Sequence, residues 1–399
     1  MSVNTMTFEQ AGAFLMALYK EVTGQESTIK VVDSKTYTSV GTTLVQGSLD
    51  PVMQGMVQLL DKTIFAMRVY NKKFDDIIMD ERLYGAVTQK VNFLDNDLDA
   101  SDERLPLTDG TSLDPWKIKK VKVVAEFFYG NTVYQDSITI WRDQLYSALR
   151  NADEGARFFA AVMTNIANKH KQIEEEQART ALINFITAKS VADTDNYINV
   201  LQEYYNETGV TLTPANMFAP ANYTEFTRWL AAYMQTLVDR MAERTVKYHM
   251  NITGKPLMRF TDGDNLRKYI SANVLNNIKA VAQSATYNAD RLDNIAEGAK
   301  KVTFWQNIND PYSVSATPAY LDVATGNIVE SQNAATVENI IGVLFDRDAL
   351  GIVKRSTWSG ASPFNPRTGT YNIYWHWTQQ IFNSFLENFV VLYAGTVTP

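Results

Sequence analysis

The chain has 399 residues, enough for two or three domains and a sizeable hydrophobic core. Hydrophobic residues make up 45% of it and charged residues 20%, a balance typical of globular proteins. The formal net charge of −7 argues against nucleic-acid binding through a basic surface, and the absence of cysteine excludes disulfides, thiolate zinc sites and cysteine nucleophiles. No signal-peptide pattern opens the chain and no apolar run reaches membrane-spanning length, so we expect no membrane partner.

The N-terminal part combines a short helix with a polar stretch. Thr7 and Gln10 have capping-box spacing and predict the start of an amphipathic helix. The stretch from Thr23 to Gln46 is rich in Thr, Ser, Gly and Val with little periodicity, which predicts an extended arm. Pro51, a favoured first helical residue, predicts a further helix that runs to about Tyr70.

Residues 71–135 predict a long β-hairpin. The strand-like segments lie around residues 83–91 and 118–128, and a long polar insert separates them. This insert predicts an acidic, mobile tip, whose carboxylates are Asp95, Asp97, Asp99, Asp102 and Glu103. Their spacing resembles the start of a calcium loop, but Ala100 and Pro106 stand where such a loop needs Gly and Glu, so we predict no calcium site. Residues 138–149 predict a helical or mixed segment.

Asn151 to Ser190 is the longest helical signal in the chain. Asn151 and Glu154 have capping-box spacing, and no Gly or Pro follows Gly155 within the stretch. A helix of this length spans roughly 55 Å, so it joins two lobes, forms a coiled coil or supports an elongated subunit. The heptad pattern is not sustained, which excludes the coiled coil. The predicted apolar stripe includes Val162, Ile166, Ile173 and Phe185. The predicted solvent face carries Lys169, Lys171, Gln172, Glu174, Glu175 and Arg179.

The remaining chain alternates helical and strand-like segments, which predicts a compact α/β or α+β lobe. One helix is predicted to start at Asn222, and another at Asp264 with Leu266 and Ile270 on its inner face. The strand-like segments are 257–260, 302–305 and 340–345. Near the end, one strand is predicted to turn four aromatic or apolar residues to one face: Tyr371, Ile373, Trp375 and Trp377. The continuous apolar run 389–393 predicts a buried strand.

The sequence contains few candidates for catalysis. His170, His249 and His376 are far apart, and only His170, four residues before Glu174, could share a helix face with a second metal ligand. Asp346 and Asp348 could perform acid–base chemistry, although a turn after a strand favours Asp for structural reasons. We therefore predict no catalytic residue, no cofactor and no metal, and a protein that is not an enzyme.

Three C-terminal stretches carry a family resemblance. IIGVLFDRDALGIVKR, TGTYNIYWHWTQQIFNSF and ENFVVLYAG resemble the closing section of the major capsid proteins of tailed bacteriophages with the Hong Kong 97-type fold, above all those of small short-tailed phages. The predicted order of arm, hairpin, long helix, α/β lobe and returning strand is similar to that family over nearly the whole chain. The resemblance in sequence is confined to about residues 339–395.

This resemblance implies an α+β fold and a division of the chain. The implied parts are an N-terminal arm at 1–46, a joining helix at 47–70, an extended E-loop hairpin at 71–135, a P-domain at 136–215 with its spine helix at 151–190, an A-domain at 216–349, and a return through the P-domain sheet to a C-terminal A-domain strand at 350–399. A long arm and a long hairpin cannot bury their surfaces within one subunit, so the acidic tip residues become candidates for contact between subunits.

The implied function is a structural virion protein that assembles into an icosahedral phage head around double-stranded DNA. The implied partners are other copies in hexamers and pentamers, portal and scaffolding proteins, and DNA that a negative subunit contacts only weakly. Assembly is expected in the host bacterial cytoplasm. Three alternatives remain open at this point: the shell of a nanocompartment with the same fold, a cytoplasmic hydrolase that uses the region of Asp346 and Asp348, and another virion part such as a scaffold or tail protein.

Overall fold

A computed structural model of the chain describes residues 8–46, 51–52, 73–79, 87–94, 116, 122–130, 132–144, 146, 152–285 and 298–398. The chain divides into two compact units. Unit 1 comprises Met1–Tyr84, Asn131–Gln177 and Val353–Gln380, and unit 2 comprises Gly85–Gly130, Ala178–Ile352 and Ile381–Pro399.

The α-helices of the described residues are α1 (Phe8–Thr23), α2 (Ser34–Gln46), α3 (Ala152–Ala192), α4 (Val200–Thr208), α5 (Tyr223–Ala242) and α6 (Ala272–Ala285). Their strands are β1 (Ile78–Met79), β2 (Thr88–Leu94), β3 (Lys122–Phe128), β4 (Thr132–Trp141), β5 (Tyr197–Asn199), β6 (Leu266–Ser271), β7 (Lys300–Val302), β8 (Val314–Ala316), β9 (Ala319–Leu321), β10 (Ile328–Glu330), β11 (Ala335–Val337), β12 (Ile340–Asp346), β13 (Leu350–Ala361), β14 (Thr370–Asn383) and β15 (Phe389–Tyr393).

The long helix α3 confirms the predicted helix at 151–190 and has 41 residues. The predicted stripe is buried at Val162, Ile166 and Phe185. The predicted solvent face is wrong in part, because Glu174, Glu175 and Arg179 are buried as well. Glu174 pairs with Lys354 of β13, and the Arg179 guanidinium lies 3.8 Å from the ring centre of Phe304. A charged side chain on a helix is therefore not always exposed to solvent. It can be buried when an oppositely charged group or an aromatic ring lies against it.

Unit 1 contains a four-stranded sheet in the order β1-β13-β14-β4. Along β14 the residues alternate between buried and half-buried from Tyr371 to Thr378, as expected for a strand with one face on a core. This confirms the predicted aromatic face. Its core cluster includes residues of α1, α2, α3 and β14, among them Leu15, Leu18, Tyr37, Val40, Val162, Ile166, Tyr371, Ile373, Trp375 and Trp377.

One expectation for unit 1 is wrong. The stretch predicted to be extended contains α2, which begins after Asp33, whose Oδ1 accepts a hydrogen bond from the Thr36 amide at 2.8 Å. Its many hydroxyls obscured the helix in the sequence; Thr38, for example, donates to the Ser34 carbonyl oxygen at 2.8 Å. The segment 138–149, predicted to be helical or mixed, is mixed in its described residues: 138–141 end the strand β4, which pairs with β14, and 142–144 are helical.

Unit 2 contains a five-stranded sheet in the order β5-β15-β12-β6-β7. The central strand β12 is buried throughout and pairs antiparallel with β15 and β6. At Gly342 a β-carbon would lie 2.8 Å from the Tyr269 carbonyl oxygen, so the close approach of β12 to β6 requires glycine there. Helices α4, α5 and α6 cover a core that includes Leu201, Phe226, Leu230, Met234, Ile278, Ile341 and Val390.

The predictions for unit 2 are confirmed in part; the predicted strand at 257–260 is absent from the named strands, and only Val302 of the predicted strand at 302–305 lies in β7. Helix α5 begins after Asn222, and β12 and β15 occur where apolar runs predicted strands. The helix predicted to start at Asp264 is wrong in its first part, because residues 266–271 form β6 and the helix α6 begins at Ala272. Leu266 and Ile270 are four residues apart, so their burial is compatible with the repeat of a helix and with that of a strand. Hydrogen-bonded pairing with β12 makes the segment a strand.

Candidate functional site

The strands β2 and β3 form an antiparallel pair with one polar face and one exposed apolar face. Lys90 lies opposite Glu126 and Asn92 lies opposite Val124. Because alternate residues of a strand point to opposite faces, the pair has two faces. The inner face carries Lys90, Asn92, Val124 and Glu126, and the outer face carries Val91, Phe93, Val123 and Phe127. This antiparallel pairing confirms that the two predicted strand-like segments pair with each other as the strands of a hairpin do.

The inner face is held to the rest of unit 2 by a cluster of charged and amide side chains. Lys90 Nζ lies 2.7 Å from Glu387 Oε1, and Arg259 Nη2 lies 3.0 Å from the same oxygen. Arg259 also donates to Asn92 Oδ1, and Asn92 Nδ2 donates to Glu126 Oε2 at 3.1 Å. Glu387 and Asn92 are buried. We call these five residues the polar root of the hairpin.

Burial disfavours the negative charge of Glu126, one of the carboxylates of the polar root. The Ser384 hydroxyl lies 3.0 and 2.9 Å from its two carboxylate oxygens. Burial raises the pKa of Glu126, and the Lys90 charge with the hydrogen bonds from Ser384 and Asn92 only partly opposes this rise. The surroundings of this carboxylate therefore disfavour its ionised form.

The outer face reverses the usual pattern, because its apolar side chains point to solvent. Val91, Phe93, Val123 and Phe127 are 45%, 68%, 50% and 50% exposed. Phe93 lies opposite Val123, so the exposed side chains of the two strands form one continuous apolar face. A contiguous exposed apolar face of this kind is typical of a contact surface for another protein.

The predicted contact residues of the hairpin tip lie outside the described residues. They are Asp95, Asp97, Asp99, Asp102 and Glu103, in the connection between the end of β2 at Leu94 and the start of β3 at Lys122. Their role between subunits stays a prediction. Sequence reasoning missed both the polar root and the outer face; the alternation of Val91 and Phe93 with Lys90 and Asn92 was the available signal.

Asp346 and Asp348, the candidates for acid–base chemistry, lie where β12 ends. Asp346 Oδ2 accepts a hydrogen bond from the Thr261 hydroxyl at 2.8 Å, and its Oδ1 accepts one from the Asp348 amide at 2.9 Å. Burial raises the pKa of Asp346, which these two bonds oppose. Oδ1 thus serves the turn after β12, the structural role that a turn position favours, and Oδ2 holds the end of the strand to Thr261.

The three histidines lie in separate environments. His249 is buried, with Nδ1 3.1 Å from Asn388 Oδ1 and Nε2 2.9 Å from the Leu257 carbonyl oxygen, and burial lowers its pKa. The ring of His170 packs against Trp377, and the ring of His376 stacks on Trp358. In the part of the chain that the structure describes, no group of three or more His, Asp or Glu side chains could hold a metal ion. No helix of that part is long and apolar enough to cross a membrane.

An α+β fold with a hairpin that turns an apolar face to solvent is typical of a structural subunit that packs against other proteins, and solved structures agree. A capsid chain of Staphylococcus phage Andhra matches with a TM-score of 0.55 and 8% identity, over 84% of this chain and 86% of that one. A chain from a structure of bacteriophage P68 with its head fiber and inner core protein gp22 matches with a TM-score of 0.51 and 8% identity, over 82% and 87%. Identities this low show the fold alone, and it is the predicted Hong Kong 97-type fold.

The family is shown by sequence. The chain belongs to the Phi29-like phage major capsid protein family, whose model matches residues 15–393. It is therefore a structural protein of the icosahedral phage head and is located in the virion capsid. No curated protein matches the sequence significantly. The family match confirms the predicted resemblance and favours the phage head over the nanocompartment and hydrolase alternatives.

Proposed function

We propose that copies of this chain assemble by themselves into hexamers and pentamers, which close into a shell around double-stranded DNA. The apolar outer face of the hairpin is the observation that supports self-assembly most directly, because a subunit that worked alone would leave Phe93 and Phe127 in water without gain. Family membership supplies the context, since a head shell repeats one subunit contact many times.

The proposal extends to the parts of the chain. Residues 1–46 act as an N-terminal arm, which contains α1 and α2, 47–70 join it to the P-domain, and 71–135 form the E-loop. Residues 136–215 form the P-domain, 216–349 the A-domain, and 350–399 return through the P-domain sheet to the A-domain. The strand pair β2–β3 and the long helix α3 support the assignments of the E-loop and the spine helix.

Negative-stain electron microscopy of the purified chain tests self-assembly. We expect closed particles of uniform diameter at high protein concentration. A folded chain that stays monomeric at every concentration and ionic strength would contradict assembly without helpers. In that case portal and scaffolding proteins, which we propose as partners in the host cytoplasm, would have to start the shell.

The acidic tip is proposed as a contact between subunits. Replacing residues 95–105 by a Gly-Asn turn should leave a soluble, folded subunit that assembles poorly, because the strands β2 and β3 keep their polar root. A second variant, with Asp95, Asp97, Asp99 and Asp102 changed to Asn and Glu103 to Gln, keeps the length and removes the charge. Unfolding of the shortened subunit would show instead that the tip packs within its own chain.

We further propose that the protein has no catalytic turnover and contacts DNA only weakly. The net charge of −7 disfavours a tightly bound polyanion, because phosphate affinity grows with the number of basic contacts. A weakly held genome suits an inner wall from which DNA must leave. Filter binding of the purified subunit to double-stranded DNA at physiological salt should show no specific complex.

A further inference from the structure

Four buried side chains of unit 2 are joined by hydrogen bonds into one network: His249, Asn388, Thr261 and Asp346. His249 Nδ1 lies 3.1 Å from Asn388 Oδ1, and Asn388 Nδ2 donates to the Thr261 hydroxyl oxygen at 3.1 Å. The Thr261 hydroxyl donates in turn to Asp346 Oδ2 at 2.8 Å. We call these residues the buried network; it connects the loop after α5 to the end of β12 and the start of β15.

The donors and acceptors of the buried network match only when His249 is positively charged. His249 Nε2 lies 2.9 Å from the Leu257 carbonyl oxygen, which can only accept, so Nε2 carries a proton. Asn388 Oδ1 can also only accept, so His249 Nδ1 carries a proton as well. A neutral imidazole has a single N–H group. The observed orientation of the Asn388 amide therefore requires the imidazolium form of His249.

The surroundings of His249 oppose this charge. Burial lowers the pKa of His249, its two hydrogen bonds raise it, and the positive charges of Arg259 and Lys189 lower it again. Both cations have carboxylate partners of their own, since Arg259 pairs with Glu387 and Lys189 pairs with Asp193. Hydrogen bonding and burial thus act in opposite directions on the Nδ1 proton.

A second arrangement of the same side chains suits a neutral His249. The oxygen and nitrogen of an amide are nearly equal in shape, so the Asn388 amide can rotate by half a turn in the same space. Its Nδ2 then donates to His249 Nδ1, and its Oδ1 accepts from the Thr261 hydroxyl. Because this hydroxyl has only one proton, it no longer donates to Asp346. Deprotonation at one end of the network therefore removes a hydrogen bond at the other end.

Asp346 is suited to take up a proton in the rotated arrangement. Burial raises the pKa of Asp346, and the negative charges of Glu387 and Asp348 raise it further, whereas the hydrogen bonds from the Asp348 amide and the Thr261 hydroxyl lower it. Loss of the Thr261 bond favours the protonated acid, which can donate to Thr261 Oγ. His249 and Asp346 are then both neutral, and in the observed arrangement both are charged.

We propose that the buried network is a two-state switch that couples proton binding at His249 to proton binding at Asp346. The proton that leaves His249 Nδ1 in one arrangement is matched by the proton that Asp346 Oδ2 carries in the other, so neither state buries an unpaired charge. If both protons are absent, Asp346 Oδ2 lacks its donor or the Asn388 oxygen faces an unprotonated nitrogen. The attachment of the loop after α5 to the two strands is weakest in that form.

Nuclear magnetic resonance of the full chain with labelled histidine tests the coupling. Asp346→Asn imitates the protonated acid, because its Nδ2 can donate to Thr261 Oγ, and it should lower the pKa of His249 by at least about one unit. Asp348→Asn is the control, since Asp348 contributes only its backbone amide, and it should leave the pKa of His249 unchanged. The signals of His170 and His376, which lie outside the network, should titrate alike in all proteins.

Thr261→Val separates coupling through the network from attraction through space. Valine has nearly the shape of threonine and no hydroxyl, so Asp346→Asn should no longer change the pKa of His249 in that background, provided circular dichroism shows a folded protein. An equal decrease in both backgrounds, or no decrease in either, would overturn the proposal. In the wild type, the side-chain amide signal of Asn388 should change at the same pH as the ring signals of His249. An amide signal that stays constant through the His249 titration would also contradict the switch.

Discussion

At the scale of single residues, the polar root shows how charges determine strand placement. It combines two cations, Lys90 and Arg259, with two carboxylates, Glu126 and Glu387, around a buried Asn92. A slip of the hairpin by one residue would move these charges to the outer face and bring the apolar side chains inward. Hydrophobic burial alone would favour that slip. The charged contacts therefore select the register that leaves the apolar face available to another molecule.

We predict that Glu126→Gln removes one part of the pH dependence of stability. Burial raises the pKa of Glu126 in the folded protein above the ordinary value of 4.5, which the unfolded chain keeps. Its contribution to stability is thus fully present below that ordinary value and is lost as the pH rises through the raised pKa. At pH 7 the Gln variant should be at least as stable as the wild type, and near pH 4.5 that advantage should disappear.

Urea unfolding at both pH values measures this effect. Glu387→Gln is the matched control, because Glu387 lies between Lys90 and Arg259 and its loss leaves two partly buried cations without their carboxylate. That variant should be less stable than the wild type at pH 7. A Glu126→Gln protein with lower stability at pH 7 and an unchanged pH profile would show that the charge of Glu126 stabilises the root.

At the scale of elements, α3 illustrates the limit of a single apolar stripe. In its first half, within unit 1, Val162 and Ile166 are buried at helical spacing and Asn168 is exposed, as one stripe predicts. In its second half, within unit 2, residues 185–189 are buried in succession, and even Lys189 is fully covered and pairs with Asp193 at 2.5 Å. A helix surrounded on all sides has no polar face to detect.

We predict that Ile166→Asp prevents correct folding of unit 1, whereas Asn168→Asp does not. Ile166 is 2% exposed in the core cluster of unit 1, so a carboxylate there would lose water without gaining a partner, at a cost of several kcal/mol. That cost is comparable with a whole domain's stability of about 5–15 kcal/mol. Asn168, two residues along the same helix, is exposed and accepts the same charge in water.

Circular dichroism and sedimentation of the two variants measure whether each protein is folded and soluble. We expect insoluble or partly unfolded protein for Ile166→Asp and native behaviour for Asn168→Asp. Equal tolerance of both substitutions would mean that α3 does not pack along its predicted stripe in solution.

At the scale of the whole molecule, assembly balances repulsion against uncharged contacts. Each subunit carries a net charge of −7, while the outer face of the hairpin is free of carboxylates. Repulsion acts over the Debye length and weakens with salt, whereas apolar contact does not weaken in this way. A shell held in this manner can use contacts that are individually modest and still be stable through their number.

We predict that salt promotes assembly of the purified chain. Raising the ionic strength from about 10 mM to about 150 mM shortens the Debye length from about 30 Å to about 8 Å, so repulsion between copies falls. The protein concentration at which particles first appear should decrease over this range, as measured by light scattering. An increase would show that ion pairs between copies, rather than uncharged faces, hold the shell together.

The sequence by itself determined much of the architecture. Helices α3 and α5 and the strands β12, β14 and β15 were predictable because each is long, strongly periodic or continuously apolar. The C-terminal sequence from Ile340 to Gly395 resembles that of phage head proteins and predicted the family. The family match over residues 15–393 confirms this prediction. The predicted acidic tip, Asp95 to Glu103, rests on sequence alone.

Only the tertiary structure decided the remaining elements and the surfaces. Helix α2 and strand β6 depend on packing and pairing partners that lie far along the chain, so local composition misplaced both. Lys90 meets Glu387, and Trp358 meets His376, through the fold and not through any spacing in the sequence. Local periodicity shows that a strand has two different faces, but which face is buried depends on what the rest of the chain packs against it. The polar inner face and the apolar outer face of the hairpin were decided in that way.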